Sequence, residues 1–170
     1  MDLKNYIRPG NGASDIMPLL ANAESFHYTI EKLSELSQIN QPSKIMGIEG
    51  RGFILGSAVA FNLGIGFVPV RSFGKLKNST FKTTYIDYSN NEKIMEIHQD
   101  AINAGENVVI IDDWVETGGT IKATVNLVAQ CGGQVIGIAV LMDDSSNELK
   151  AELEKYNYKF LYQIEPDDEI

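Results

Sequence analysis

The chain has 170 residues, 44% of them hydrophobic, and carries 14 basic against 23 acidic side chains for a net charge of −9. That length closes one hydrophobic core and is too short to suggest two, so a single domain over residues 1–170 is expected. The negative charge argues against nucleic acid as a partner, because a phosphate polymer would meet mostly repulsion.

The start, Met1-Asp2-Leu3-Lys4, lacks the basic and apolar run of a secretory signal. No stretch nears the roughly 20 apolar residues of a membrane span, so a cytoplasmic protein without a membrane partner is expected. Residues 22–37 place Phe26, Ile30 and Leu33 at helical spacing behind Asn22, which predicts a capped amphipathic helix. Ile45 to Ile48 reads as a short apolar strand. The segment 53–63 is apolar all round, with Gly56, Ser57, Ala58 and Ala60 permitting close approach, and predicts a buried helix. Phe67-Val68-Pro69-Val70 reads as a strand whose proline favours an edge or a strand end. Tyr85 to Tyr88 and Met95 to His98 are weaker strand candidates around the polar Ser89-Asn90-Asn91. Val108 to Ile111 is a β-branched strand, 121–130 a helix ended by Gly132-Gly133, and Val135 to Leu141 a second buried strand. A helix over 146–155 and a strand over Lys159 to Gln163 complete the pattern. Strands alternating with helices imply an α/β fold, a mostly parallel twisted sheet with helices on both faces. Ligands of such sheets sit beyond the carboxyl ends of the strands, which directs attention to the segments after Ile48, Val70 and Ile111.

Charge is unevenly spread. Between Arg51 and Ile86 there is no acid, whereas Arg51, Arg71, Lys75, Lys77 and Lys82 are all basic. This is either a patch that attracts a small polyanion or an ordinary loop of solvated lysines. Cys131, the single cysteine, excludes an internal disulfide, and no Cys/His cluster offers a zinc site.

The segment after Ile111 is the most informative. Two adjacent carboxylates, Asp112 and Asp113, leave a buried strand and are followed by Thr117-Gly118-Gly119-Thr120 at the start of a helix. Glycines let successive N–H groups turn toward one point, threonines add hydroxyls, and the helix N-terminus adds partial positive charge, which together suit a phosphate monoester. Ionised carboxylates only accept hydrogen bonds, so the acid pair suits ribose hydroxyls or waters around a magnesium ion. A capped helix after a polar turn remains the plain alternative on these residues alone. Gly119-Thr120-Ile121 lacks the Gly-Lys-Ser/Thr of a nucleoside-triphosphatase loop.

Val108 to Thr120, four apolar residues, two acids, two variable positions and a Thr-Gly-Gly-Thr loop, resembles the signature of type I phosphoribosyltransferases. Gly47-Ile48-Glu49-Gly50-Arg51-Gly52-Phe53, Phe67-Val68-Pro69-Val70-Arg71 through Lys75, Glu96-Ile97-His98-Gln99-Asp100-Ala101-Ile102 and Asp15-Ile16-Met17-Pro18-Leu19-Leu20 are similar to the adenine-specific branch of that family. The resemblance implies the type I phosphoribosyltransferase fold with a small N-terminal hood and a mobile lid loop over 77–92. It implies transfer of a phosphoribosyl group from phosphoribosyl pyrophosphate to a purine, adenine first, in purine salvage. It also implies Mg²⁺ held mainly by the substrate, reached by Asp112 and Asp113 through water, and a homodimer.

Residue by residue, Glu49, Gly50 and Arg51 match the loop that holds pyrophosphate, and Arg71 and Lys75 match positions that contact it. Asp112 and Asp113 match the ribose-binding acids, and Glu116, Thr117, Gly118, Gly119 and Thr120 the 5′-phosphate loop. Arg51, Asp87 and Glu116 are the catalytic candidates. The departures concern the base: Ala13-Ser14 stands where an aromatic-basic pair is usual, Asp87-Tyr88-Ser89 replaces Glu-Tyr-Gly in the lid, and Glu116 stands where alanine is usual. These leave open another purine as acceptor, or a non-catalytic regulatory module that binds phosphoribosyl pyrophosphate.

Overall fold

The computed structural model describes residues 1–10, 14–87 and 89–164; of the expectations above, those on Ala13 and Tyr88 lie outside the described residues. Seven strands are formed: β1 (Lys44–Ile48), β2 (Gly66–Ser72), β3 (Thr80–Ile86), β4 (Glu92–His98), β5 (Asn107–Val115), β6 (Gln134–Asp143) and β7 (Tyr158–Gln163). They make one sheet in the order β3-β4-β2-β1-β5-β6-β7. The five strands from β2 to β7 are mutually parallel, and β4 runs antiparallel to both β2 and β3.

The helices are α1 (Met17–Ala21), α2 (Ala23–Ser37), α3 (Arg51–Leu63), α4 (Gly119–Gln130) and α5 (Asn147–Leu153). The sheet is buried on both faces because its central strands are apolar at consecutive positions. Val108 and Ile110 of β5 pack with Ile121, Leu127 and Val128 of α4. The intervening Val109 and Ile111 pack with Ile30 and Leu33 of α2 and Leu55 and Val59 of α3. Each fully buried leucine or isoleucine in these layers contributes about 1.5–3 kcal/mol relative to exposure.

Local chemistry sets the boundaries. Asn22 Oδ1 accepts the Glu24 and Ser25 N–H groups at 3.1 and 3.0 Å, capping α2 as its sequence predicts. The α3 helix is apolar all round but is not enclosed. It turns Leu55, Gly56, Val59 and Ala60 to the sheet and leaves Ile54 42% and Phe61 90% exposed, because only one layer covers that face. At Gly56 a Cβ would stand 3.2 Å from Gly47 Cα, so these two glycines bring α3 and β1 together. Pro69 pairs with Gly47 on its β1 side, while pairing with β4 begins only at Arg71, so its missing N–H costs no ladder bond.

Two segments differ from the sequence reading. Strand β5 runs four residues beyond Ile111 to Val115, so Asp112 and Asp113 are strand residues and the loop starts at Glu116. Pairing of Asp112 with Val140, Trp114 with Met142 and Val115 with Asp143 outweighs the poor strand preference of aspartate. Much of the 77–92 segment is strand β3, paired with β4 from Thr80↔His98 to Ile86↔Glu92.

Candidate active site

The carboxyl ends of β1 and β5 meet at a cavity of about 280 Å³, and the candidates Glu49, Gly50, Arg51, Asp112, Asp113, Glu116, Thr117, Gly118 and Thr120 line it together with Trp114 and Asp87. It forms there because α3 and α4 both start at that end of the sheet, one after β1 and the other after β5. Gly52, in the first turn of α3, allows the approach: a Cβ on it would stand 2.7 Å from Asp112 Oδ1.

The acid pair lies on the cavity floor, each residue 7% exposed. Asp113 Oδ2 pairs with Arg51 Nη2 at 2.8 Å, and the same guanidinium donates to the Ser14 carbonyl. Asp112 Oδ1 accepts the Asp113 N–H at 3.0 Å. Burial, then the neighbouring Asp113 charge, raises the Asp112 carboxyl well above the usual carboxylate range. Burial also raises Asp113, against the opposing pull of Arg51. Such carboxylates are poised to gain from hydroxyl donors, which would replace the water they have lost. No group of three or more His, Cys, Asp or Glu side chains among the described residues could hold a metal ion. With Asp113 engaged by Arg51, the donor set fits a cation brought by an anionic substrate and met through water, not one caged by the protein.

Beside the floor stands a cluster of cations. Glu49 Oε1 meets Arg71 Nη2 at 3.2 Å and Lys75 Nζ at 3.1 Å, and Glu49 Oε2 accepts the Ser72 N–H. Burial pushes the Glu49 carboxyl up, but the Ser72, Arg71 and Lys75 bonds outweigh it and hold it at about 2. Arg71 and Lys75 do not line the cavity themselves; they reach it through Glu49, which does.

On the far side, Gly118 adopts φ 72° and α4 begins at Gly119, so the helix N-terminus, with its partial positive charge, lies where Thr117, Gly118 and Thr120 line the cavity. Thr117 Oγ1 accepts the Gly119 N–H at 3.4 Å. Gly118 rests on Leu149 of α5, where a Cβ would stand 2.8 Å from Leu149 Cδ2. Glu116 is half-buried, and burial, then the Asp144 charge, raises its carboxyl.

Asp87, the third catalytic candidate, sits at the tip of the β3–β4 hairpin. Its Oδ1 accepts the Ser89 and Asn91 N–H groups at 2.9 and 3.0 Å, and its Oδ2 pairs with Lys93 Nζ at 2.5 Å. Lys93 first, and then the Asn91 N–H, hold the carboxyl at about 2. A second, more open groove of about 550 Å³ runs between β3 and α4 beside Thr117 and Gly119. His27 pairs with Glu31 at 3.1 Å and His98 Nε2 lies 2.8 Å from the Lys77 carbonyl, and neither lines the cavity.

Sequence reasoning overlooked the end of β6. Asp143 is fully buried, bonded to the Ser145 and Tyr158 hydroxyls and paired with Lys150 at 2.9 Å. This network ties β6 and β7 to α5, which carries Leu149 beneath Gly118. Its members span Asp143 to Tyr158 and share no motif; only the adjacency of Asp143 and Asp144 to a predicted strand end could have flagged it.

Comparison with known proteins agrees with this geometry. The family model described as Phosphoribosyl transferase domain matches residues 19–169. The adenine phosphoribosyltransferase of Carboxydothermus hydrogenoformans is 43% identical over 151 residues, covering 84% of this chain and 88% of that protein. The crystal structure of adenine phosphoribosyltransferase from Rhodothermus marinus superposes with a TM-score of 0.84 at 37% identity, covering 95% of this chain and 96% of that one. The Saccharomyces cerevisiae adenine phosphoribosyltransferase, solved with an imino-altritol bisphosphate and adenine, gives a TM-score of 0.80 at 31% identity over 95% of this chain and 96% of that one.

Proposed function

The chain belongs to the phosphoribosyl transferase domain family, and from that premise we propose that it transfers the 5-phosphoribosyl group of phosphoribosyl pyrophosphate to adenine, giving AMP and pyrophosphate in purine salvage. The observation that carries this reading is the meeting of a phosphate loop, a buried acid pair and Arg51 around one cavity. The first turn of α4, with Thr117 and Thr120, holds the 5′-phosphate. Asp112 and Asp113 accept the ribose hydroxyls and so fix the sugar over the cavity floor. Arg51, Arg71 and Lys75 gather the negative charge that grows on the departing pyrophosphate, with Glu49 and Gly50 shaping that loop. Asp112 and Asp113 would meet, through water, an Mg²⁺ brought by the substrate, which would supply further neutralisation of the leaving group's charge. Positioning supplies most of the acceleration, because the bond that breaks leaves an oxocarbenium-like sugar and needs no covalent help from the protein.

Glu116 accepts the proton from the incoming purine, since its raised carboxyl stands beside the phosphate loop. Asp87, already committed to Lys93 and two N–H groups, shapes the hairpin tip that borders the cavity and excludes water there. We place the protein in the cytoplasm as a homodimer; no helix among the described residues is long and apolar enough to cross a membrane, and the exposed Ile54 and Phe61 give α3 an apolar outer surface.

The test is a pyrophosphate-release assay with Mg²⁺ and phosphoribosyl pyrophosphate, offering adenine, hypoxanthine, guanine, xanthine, uracil and orotate separately. Release with adenine is expected. Release with another base alone would move the specificity, and silence with all six despite binding would make the chain a regulatory module.

A further inference from the structure

Glu96 is a carboxylate in the middle of β4, 2% exposed, far enough from the cavity that it does not line it. Among the ion pairs of the described residues it has no cationic partner; instead it is satisfied by dipoles from one segment of chain. Its Oε1 accepts the Lys75 N–H at 3.1 Å and the Leu76 N–H at 3.0 Å, and its Oε2 accepts the Thr80 hydroxyl at 3.1 Å. The middle of the chain between the end of β2 and the start of β3, at Lys75 and Leu76, is therefore held by this single side chain. Burial acts to raise the carboxyl, but the Leu76 N–H, the Thr80 hydroxyl and the Gly74 and Lys75 N–H groups outweigh it and keep it ionised.

That segment delivers Lys75, whose ammonium lies 3.1 Å from Glu49 at the cavity edge. The backbone from residue 73 to residue 79 forms neither helix nor strand; the Phe73 N–H bonds the Ile94 carbonyl at 3.0 Å and the Ser79 carbonyl accepts the Gln99 N–H at 3.1 Å, which ties its two ends. Glu96 also stands opposite Arg71 in the β2–β4 pairing, so one residue adjoins both cations of the cluster. A charged acceptor for backbone N–H groups forms bonds roughly twice as strong as a neutral one, which suits it to hold a loop that lacks regular structure.

We infer that Glu96 is a positioning residue for the pyrophosphate half of the reaction: it holds the backbone of the 74–76 turn so that Lys75, with Arg71, is already aimed at the leaving group before substrate arrives. The inference rests on the proposed role of Lys75 and Arg71 in meeting pyrophosphate. Because a misplacement of about 1 Å can cost up to roughly 100-fold, loss of the carboxylate is expected to act on the pyrophosphate-bearing ligands and not on the base.

The experiment measures steady-state kinetics of the full chain in both directions for Glu96→Gln, Thr80→Val, Lys75→Ala and the double variant Glu96→Gln/Lys75→Ala, with circular dichroism as a check on folding. Glu96→Gln should raise the KM for phosphoribosyl pyrophosphate and for pyrophosphate by about tenfold, leaving the KM for adenine within about twofold. Thr80→Val, which removes one bond and keeps the charge, should show the same pattern more weakly and reads the effect if Glu96→Gln does not fold. Glu96→Gln should add little on top of Lys75→Ala, since the residue acts through the lysine. Unchanged KM values for both phosphate ligands in folded Glu96→Gln, or full additivity with Lys75→Ala, would overturn the inference while the cation cluster stands. Unchanged values in Lys75→Ala itself would remove the assignment of that cation and the inference together.

Discussion

Gly119 touches Ile86 so closely that a Cβ on the glycine would stand 2.3 Å from the Ile86 carbonyl oxygen. The obstacle is backbone at the end of β3, not a side chain that can swing aside. The first turn of α4 and the tip of the hairpin are thus fitted to each other at the edge of the cavity. Gly119→Ala should force them apart, lowering stability by about 1–3 kcal/mol as overpacking does and raising the KM for phosphoribosyl pyrophosphate. Denaturant midpoints and initial rates check this; wild-type values for both would show that the hairpin yields at no cost.

Asp112 should weaken the fold as pH rises. Its folded carboxyl titrates above the ordinary 3.8, so the folded chain holds a proton that the unfolded chain has released. The sign follows: between 3.8 and the higher folded value, stability is lost with increasing pH, and it is greatest below 3.8. Asp112→Asn keeps an oxygen for the Asp113 N–H and removes the buried charge. It should raise Tm at neutral pH and flatten the dependence of Tm on pH, while weakening binding of phosphoribosyl pyrophosphate about 10- to 100-fold. Thermal unfolding across the acid range and ligand titration read the two effects separately, and a lower Tm at neutral pH would contradict the first.

Asp87 has the opposite sign. Its carboxyl is depressed from 3.8 to about 2, chiefly by Lys93, so its contribution is in place above 3.8 and is lost as pH falls through about 2. An acid held this low is a poor base near neutrality. Asp87→Asn should therefore leave kcat within about tenfold, short of the 10²–10⁴-fold typical of a lost general base. It should also speed amide hydrogen exchange at Ser89 and Asn91, whose N–H groups it accepts. A fall in kcat beyond about 100-fold with unchanged exchange would restore a proton-transfer role.

Much of this architecture is written locally in the chain. Asn22 ahead of an amphipathic run gives the α2 cap, and the unbroken apolar positions of β5 and β6 announce strands covered on both faces. The turn proposed to hold phosphate is equally local, since Gly118 immediately precedes α4, which begins at Gly119. What escaped local reading depends on partners distant in sequence. Asp112 and Asp113 look like loop residues until β6 pairs with Asp112 and with Trp114 and Val115 beyond them, and α3 looks enclosed until its outer face proves to leave Ile54 and Phe61 exposed among the described residues. Thr80 to Ile86 breaks the polar–apolar alternation with Lys82, Thr83 and Thr84 in a row, so its strand identity rests on the register with β4 across a tip that carries polar residues. Glu96 and Asp143 are charges in strands, which sequence alone reads as interruptions; their warrant is the set of donors that the fold brings to each.

Glu116 and Asp144 offer the sharpest test of the proposed proton acceptor. Burial, then the charge of Asp144, raises the Glu116 carboxyl above 4.5, so protonation of Glu116 should set the acid limb of the kcat profile. Asp144→Asn removes one of those two causes, makes the Glu116 carboxylate easier to form, and should move the acid limb to lower pH. Glu116→Gln should lower kcat about 10²–10⁴-fold while binding of phosphoribosyl pyrophosphate is retained, because the phosphate loop keeps its backbone donors. Binding is read by titration calorimetry and turnover by pyrophosphate release. If turnover survives Glu116→Gln and the limb stays in place in Asp144→Asn, Glu116 is a solvent-facing neighbour of the phosphate loop and the purine gives its proton to water. If both change as expected, the replacement of the usual alanine by Glu116 becomes the chemical difference that sets this enzyme apart within its family.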